Sequence, residues 1–316
     1  MNEHRPPELE RIFVQMRRQH FGTMAEAQAW LDRRIHEYNA APQAGLAGLS
    51  PVQVAGLLSG DWATTGALRA DPGIPAAELA GVPFLETARL LLLAARDEGP
   101  LPATATGNLS RRSVAALVDR MPPSAELGFA LERPAVVLNE QDLYPLHVPR
   151  VVLGLAGLLI RRKGFRITRR GRELLDEART GELFAELFRT HFRAFNLAYL
   201  SRGPEQPGIQ RTAAVSIFLV GRHAADWSSP EVLAERVLLP DAVDRTDEYY
   251  RPDTARWLVA ARLLRPLRRF GLLEERLVGE GPEWQRTAEF RKAPLFDRFL
   301  RFEWAGRPLV GAARPR

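Results

Sequence analysis

Ala27, Trp30, Leu31, Arg34, Ile35 and Tyr38 recur at three- and four-residue spacing, which predicts an amphipathic helix with one apolar face. Thr23-Met-Ala-Glu26 stands before it as a capping box, in which hydroxyl and carboxylate satisfy orphan amide donors. Ser50-Pro51-Val52-Gln53 repeats the device, with proline where its missing N–H costs nothing, and Leu57 and Leu58 close that helix before Gly60. Residues 60–82 carry Gly, Asp, Thr and Pro with little periodicity and read as a linker or a packed loop.

Residues 84–97 form a strongly apolar helix ended by Gly99-Pro100. A second helix is predicted behind Asn108 or Ser110 as cap, running to about Met121, where Pro122-Pro123 stops it. A third, interrupted by Pro145 and Pro149, covers roughly Asp142–Leu158. Two short strands then flank a Lys163-Gly164 turn, with Phe165 and Ile167 alternating against Arg166, and a helix Arg169–Arg179 follows. Three helices, a hairpin and a closing helix make the winged-helix order, a helix-turn-helix variant.

The pattern returns some 114 residues later, where Gly271-Leu272-Leu273 matches Gly157-Leu158-Leu159. Helices are predicted at Ile209–Ala224, from Ser229-Pro230 to Pro240, and at Thr254–Phe270, with a second hairpin from Leu273–Val278 and Trp284–Thr287. Thr287 is placed opposite Thr168, and Leu295–Leu300 echoes Leu183–Phe188. The expected fold is therefore mainly α with short β-hairpins: an N-terminal helical segment (1–60), a linker (61–82), two tandem winged-helix units (83–180 and 209–303) joined by a connecting helix and loop (181–208), and a C-terminal tail (304–316). Phe184, Leu187, Phe188, Phe192 and Phe195 form a stripe at helical spacing on the connecting helix, the pattern of a core and, next to that, of an interdomain seam or a dimer surface.

At 46% hydrophobic and 26% charged, the chain has the composition of a globular protein. Cysteine is absent, which excludes disulfides, thiolate zinc sites and a cysteine nucleophile. The polar start, Met-Asn-Glu-His-Arg-Pro-Pro-Glu, is not a signal peptide, and the longest apolar run, Val151–Ile160, is half a membrane span. A cytoplasmic protein with no membrane partner is the expectation. Of 44 basic residues only Lys163 and Lys292 are lysine, so a G+C-rich coding bias inflates the arginine count. Location says more than the total: residues 161–316 hold thirty basic against twenty-one acidic groups.

The sharpest feature is a basic wing. Arg161, Arg162, Lys163, Arg166, Arg169, Arg170 and Arg172 put seven cations into twelve residues with no acid among them, a pattern suited to phosphates along a nucleic-acid backbone. In the second unit Arg262, Arg265 and Arg269 recur at i, i+3 and i+7, predicting a basic stripe opposite Trp257, Leu258, Ala261 and Leu264. Each unit lacks the other half of a groove reader. In the first, Val151–Leu158 is apolar all round and reads as buried, Gln141, Asp142, Tyr144, His147 and Arg150 being left to face outward, and Glu140 and Asp142 would repel phosphate. In the second, the hairpin region 274–292 balances four basic against five acidic residues.

Enzyme signals are poor. The histidines at 4, 20, 36, 147, 191 and 223 have no metal-ligand spacing, and no nucleophile elbow, phosphate loop or dinucleotide fingerprint is present. Asp241, Asp244, Asp247 and Glu248 form an acidic run that could hold a hard cation, and Glu289-Phe-Arg-Lys292 is one residue too long for a nuclease's acid–lysine pair. No catalytic residue, metal or cofactor is expected.

The strings Leu49-Ser50-Pro51 with Gly60-Asp61-Trp62, Ala103-Thr-Ala-Thr-Gly107-Asn108-Leu109, and Lys292-Ala-Pro-Leu-Phe-Asp-Arg-Phe-Leu-Arg-Phe302 resemble a widespread group of uncharacterised bacterial proteins, some of them SEC-C motif proteins. The resemblance implies a bacterial helical protein and supplies no activity. The cysteine-rich zinc tail of the SEC-C motif does not carry over to a chain without cysteine. The reading is then a non-enzymatic nucleic-acid-binding protein using the basic hairpin and the second-unit helix. The alternative is a protein–protein adapter in which the winged helices are docking folds, and a metal-dependent nuclease is a distant third; a homo-oligomer is compatible with each.

Overall fold

Proline at the first helical turn marks many of the helix starts. The ring fixes φ and gives up an N–H that has no intrahelical partner there. Helices α3 (Pro51–Leu58), α4 (Pro83–Asp97), α9 (Pro207–Arg211), α11 (Pro230–Val237) and α14 (Pro294–Phe299) all begin this way. The computed structural model describes residues 7–122, 139–201, 205–248, 250–281, 286–304 and 307–309. The N-terminal helices are α1 (Pro7–Arg18) and α2 (Met24–Ala40). The Ser50/Gln53 capping box closes as expected, whereas at α2 the Glu26 carboxylate takes the Gly22 N–H (2.9 Å) instead of that of Thr23.

After α4 come α5 (Arg111–Val118), α6 (Tyr144–Leu155), the antiparallel hairpin β2 (Leu159–Arg161) and β3 (Phe165–Ile167), and α7 (Arg169–Leu174). The buried helix α8 (Thr180–Arg193) leads to α9, α10 (Ala213–His223) and α11. A composite helix follows: α12 (Thr254–Val259), a π-helical turn Ala260–Leu264, and α13 (Arg265–Arg269). The hairpin β4 (Leu273–Val278) and β5 (Thr287–Lys292), α14, β6 (Leu300–Trp304) and β7 (Arg307–Pro308) complete the chain. The protein is mainly helical, and its strand pairs are antiparallel.

The two halves share more than element order. Leu101, just after α4, exchanges backbone hydrogen bonds with Phe165 of β3, and Ser228, just after α10, does the same with Phe290 of β5. Gly157 and Gly271 both end their helices in the left-handed region (φ 68° and 69°). In each case the next leucine N–H reaches back five residues, Leu158 to Leu153 and Leu272 to Leu267, which is the Schellman closure. Leaving each hairpin, the N–H of Thr168 bonds Leu158 O and that of Ala293 bonds Leu272 O, both at 3.0 Å. The hydrogen bond that Thr168 makes behind the first hairpin is thus made behind the second by Ala293, in place of the expected Thr287.

The expected second hairpin is corrected accordingly. β5 starts at Thr287 and runs to Lys292, because Leu273 pairs with Lys292 and Phe290 turns into the core. Trp284 and Gln285 lie outside the described residues. Residues 61–82, expected as a linker, are packed: Trp62, Leu68, Ile74 and Leu79 are buried, and β1 (Leu68–Ala70) pairs antiparallel with β6. The pairing carries the second segment through residue 303 into a sheet with the N-terminal region.

The core is built on α8. Phe184, Leu187, Phe188 and Phe192 are fully buried, and Phe188 meets Phe270 and Phe299 edge-on. Phe84 of α4 stacks on Phe270 at 4.3 Å between centroids. Among the described residues no helix is long and apolar enough to cross a membrane.

Candidate nucleic-acid interface

The wing is a tight hairpin whose tip uses two left-handed residues, Lys163 (φ 49°) and Gly164 (φ 109°). A Cβ on Gly164 would meet Leu101 O at 2.8 Å, so the close backbone approach requires glycine as well as the positive φ. Phe165 and Ile167 face the core while Arg161, Arg162, Lys163 and Arg166 are exposed, as the alternation predicts.

The seven cations are not equivalent. Arg161 Nη2 donates to the carbonyls of Thr104 (3.2 Å) and Ala105 (2.8 Å), so its guanidinium is a strut holding loop 103–109 beside the wing. Arg169 pairs with Glu173 (2.9 Å), and Arg170 pairs with Glu186 (2.7 Å) and donates to Ala156 O (3.2 Å). Arg166 donates to the backbone oxygen of Arg162 (3.2 Å). Among the described residues, Arg162, Lys163, Arg166 and Arg172 face solvent without a carboxylate partner. Local acids partly neutralise the base of the wing and leave its tip positive.

Loop 103–109 is anchored from the other side by a buried cluster. Glu140 accepts from the Leu109 N–H, from His147 Nδ1 (2.7 Å) and from Arg150 Nε (2.7 Å). Burial alone would raise its pKa, but the His147 hydrogen bond, the Arg150 charge and the Leu109 N–H outweigh it and hold the carboxyl below the ordinary glutamate value. Arg150 lies over the Phe165 ring at 4.9 Å, which ties α6 to the wing. Glu140 and His147 are thus buried parts of the scaffold, whereas the sequence pattern suggested surface groups. No periodicity signals this cluster, since its members come from a loop, a 3-10 turn and a helix.

Helix α6 is covered where a groove-reading helix would be open. The His147 ring lies 5.4 Å from that of Tyr199, and Tyr144 meets Tyr199 edge-on. Leu153 and Leu158 are buried as expected, but Leu155 is 51% exposed, because α6 ends there and turns it outward. The loop leads directly into α5, whose Ser110 cap accepts from Ser113 N (3.2 Å) and whose first residues, Arg111 and Arg112, are both exposed. Sequence reading overlooked that pair, although two arginines behind an N-cap were visible.

In the second unit the basic stripe does not form. The π turn adds a residue to the helical repeat: the Arg265 N–H bonds Ala260 O, five residues back, and Pro266 has no N–H to offer Arg262 O. Arg262 is rotated inward to 1% exposure, where Nε donates to Ser201 Oγ (2.9 Å) and Nη1 to Glu205 O. Desolvation lowers its pKa to about 10, against the charge of Glu205. Arg265 stays exposed, Arg269 is half-buried, and Trp257 is exposed instead of lying on the buried face. The three arginines therefore do not make one surface, and the structure removes Arg262 from any nucleic-acid interface.

Among the described residues, no three His, Asp or Glu side chains are grouped so as to hold a metal ion. The Asp244 carboxylate accepts from the Thr246 N–H and hydroxyl in a turn, while its backbone N–H donates to Gln206 Oε1. Residues 80–180, 101 of the 316, match the Y4jL N-terminal domain family. That family is itself uncharacterised, which agrees with the expected kinship and brings no support for a SEC-C relationship. No curated protein and no solved structure matches the chain.

Proposed function

We propose that this is a non-enzymatic nucleic-acid-binding protein built on two winged-helix units, 83–180 and 209–303, which contacts phosphates through the first unit's wing. The observation that carries the reading is the cluster of Arg162, Lys163 and Arg166 at a tight, solvent-facing hairpin, with no carboxylate paired to any of them among the described residues. Support for the two units comes from their matching Schellman closures and from the third-strand bridges Leu101–Phe165 and Ser228–Phe290. Because α6 is covered by Tyr199, the contact is to the backbone and carries little base information.

Duplex DNA affinity measured at several salt concentrations tests this. Each phosphate contact contributes roughly −0.9 to the log–log salt slope, so replacing Arg162, Lys163 and Arg166 with Ala should flatten it by about 2–3. Changing Arg169 and Arg170, whose charges are already met by Glu173 and Glu186, should do less. A folded triple variant with the parent slope would sink the proposal. The adapter reading would then lead, favoured by Leu155 and Ile160, which are 51% and 43% exposed at the corner between α6 and β2.

A further inference from the structure

Leu101 pairs antiparallel with Phe165, so beyond it the chain runs toward the tip end of the wing, where Arg161 meets the carbonyls of Thr104 and Ala105. On the edge away from β3, Ala103 pairs with Leu109, the Thr104 N–H bonding Asn108 O (2.7 Å) and the Ser110 N–H bonding Pro102 O (2.8 Å). Two strand spacings of about 4.8 Å therefore place Leu109 roughly 10 Å from β3. Helix α5 begins two residues later with Arg111 and Arg112. We propose that these two arginines are a second phosphate contact, and that with the wing tip they form one surface for double-stranded nucleic acid. The inference rests on the reading of the wing given above.

Both side chains are available. Arg111 and Arg112 are exposed, whereas Ser113, Val114 and Leu117 form the buried face of α5. Among the described residues, Arg112 makes no hydrogen bond or ion pair, and Arg111 Nε donates to the neutral amide oxygen of Asn139 (3.2 Å). The acid on that side, Asp142, is itself held by the Asn139 N–H (3.3 Å) and side-chain amide (3.1 Å). In a helix the Cα–Cβ bonds tilt toward the N-terminus, here back toward loop 103–109 and the wing. The helix dipole opposes cations in the first turn, so the stability of α5 does not account for two arginines there.

The spacing between the two contacts is set by the fold. Loop 103–109 is braced by Arg161 on one side and by Glu140, at the Leu109 N–H, on the other. Gly107 (φ 90°) lies so close to Arg161 that a Cβ would meet Nη1 at 2.9 Å. Guanidinium groups held apart in this way suit phosphates spaced along a regular backbone. The surface also lacks what a single strand requires. Residues 101–112 contain no aromatic side chain, and Phe165, the one aromatic in 159–172, is buried, so no ring is offered for bases to stack on. Cations without a stacking platform select a duplex, whose bases are already stacked.

The test is fluorescence anisotropy of the full chain with labelled duplex DNA and with oligo-dT of the same length, at several salt concentrations. The duplex should bind about tenfold tighter than oligo-dT at physiological salt. Arg111→Gln combined with Arg112→Gln should flatten the log–log salt slope for the duplex by about 2, with an unchanged melting temperature. Arg120→Gln, just past the other end of α5 and paired with Glu98, should keep the parent slope. Parent slope in the folded double variant, equal flattening by Arg120→Gln, or oligo-dT bound as tightly as the duplex overturns the proposal. The wing triple variant separates the two readings. Flattening by that variant and not by the double variant removes the second contact and leaves the wing standing, whereas flattening by the double variant alone supports this contact and removes the wing.

Discussion

Glu140 and His191 show two opposite ways of burying an ionisable side chain. Glu140 is fully enclosed but fully partnered, by His147, Arg150 and the Leu109 amide, so its charge is stabilising. Removing one member of a buried pair strands the rest, at about 3–5 kcal/mol. Glu140→Ala should therefore lower thermal stability by that order and release loop 103–109, read as faster amide exchange at Leu109. His191 is the reverse case: among the described residues neither ring nitrogen has a hydrogen-bond partner, and Phe84, Phe192, Phe195 and Phe270 surround it. Desolvation, helped by the positive Arg269, pushes its pKa down to about 3. The folded state thus stays neutral while the unfolded chain binds a proton below about 6.5, and stability must fall as pH drops through that value. Between pH 7.5 and 5 the loss from this one residue is about 2 kcal/mol. Denaturant melts of His191→Leu should show a correspondingly shallower decline than the parent, and parallel curves would refute the assignment.

At the scale of elements, helix α6 offers a clean internal comparison. Leu153 is fully buried and Leu155 is half-exposed, two residues apart on one helix. Leu153→Ala should cost about 2–5 kcal/mol, whereas Leu155→Ala should stay within about 0.5 kcal/mol, both read from chemical denaturation. The same helix marks where sequence reading stopped working. Alternation, caps and Pro-Gly stops foretold the β2–β3 hairpin and the Ser50 and Ser110 caps, because each is a local signal. The Phe184–Phe195 stripe foretold a core helix for the same reason. A uniformly apolar run, by contrast, carries no phase, so nothing distinguished Leu155 from Leu153. The basic stripe failed for a different cause: i, i+3, i+7 spacing assumes 3.6 residues per turn, and the π turn ahead of Pro266 breaks that repeat. Within the wing, the sequence gathers the right residues but does not reveal that Glu173 and Glu186 neutralise two of them.

The whole molecule is held by contacts that cross between residues 83–180 and residues 209–303. Phe270 closes the composite helix of the second segment, yet its ring stacks on Phe84 of the first and packs against Phe184, Phe188 and His191 of α8. Strand β1, from the supposed linker, pairs with β6 near the end of the described chain, and Arg301 bonds Asp71 across that pairing at 2.8 Å. An element order that repeats therefore does not make two independent folding units, because neither segment can bury its share of α8 alone. Truncating Phe270 to Ala removes a fully buried ring and should cost about 3–5 kcal/mol. The shape of the unfolding curve separates the two views. If the segments were autonomous, calorimetry of the parent would resolve two transitions, and Phe270→Ala would move only the one belonging to residues 209–303. With the core shared through α8, the parent should melt in one transition, and Phe270→Ala should shift that whole transition downward without splitting it. Salt-dependent DNA affinity of the same variant, measured below its melting temperature, should match the parent, since the ring contacts of Phe270 are with Phe84 of α4 and with α8.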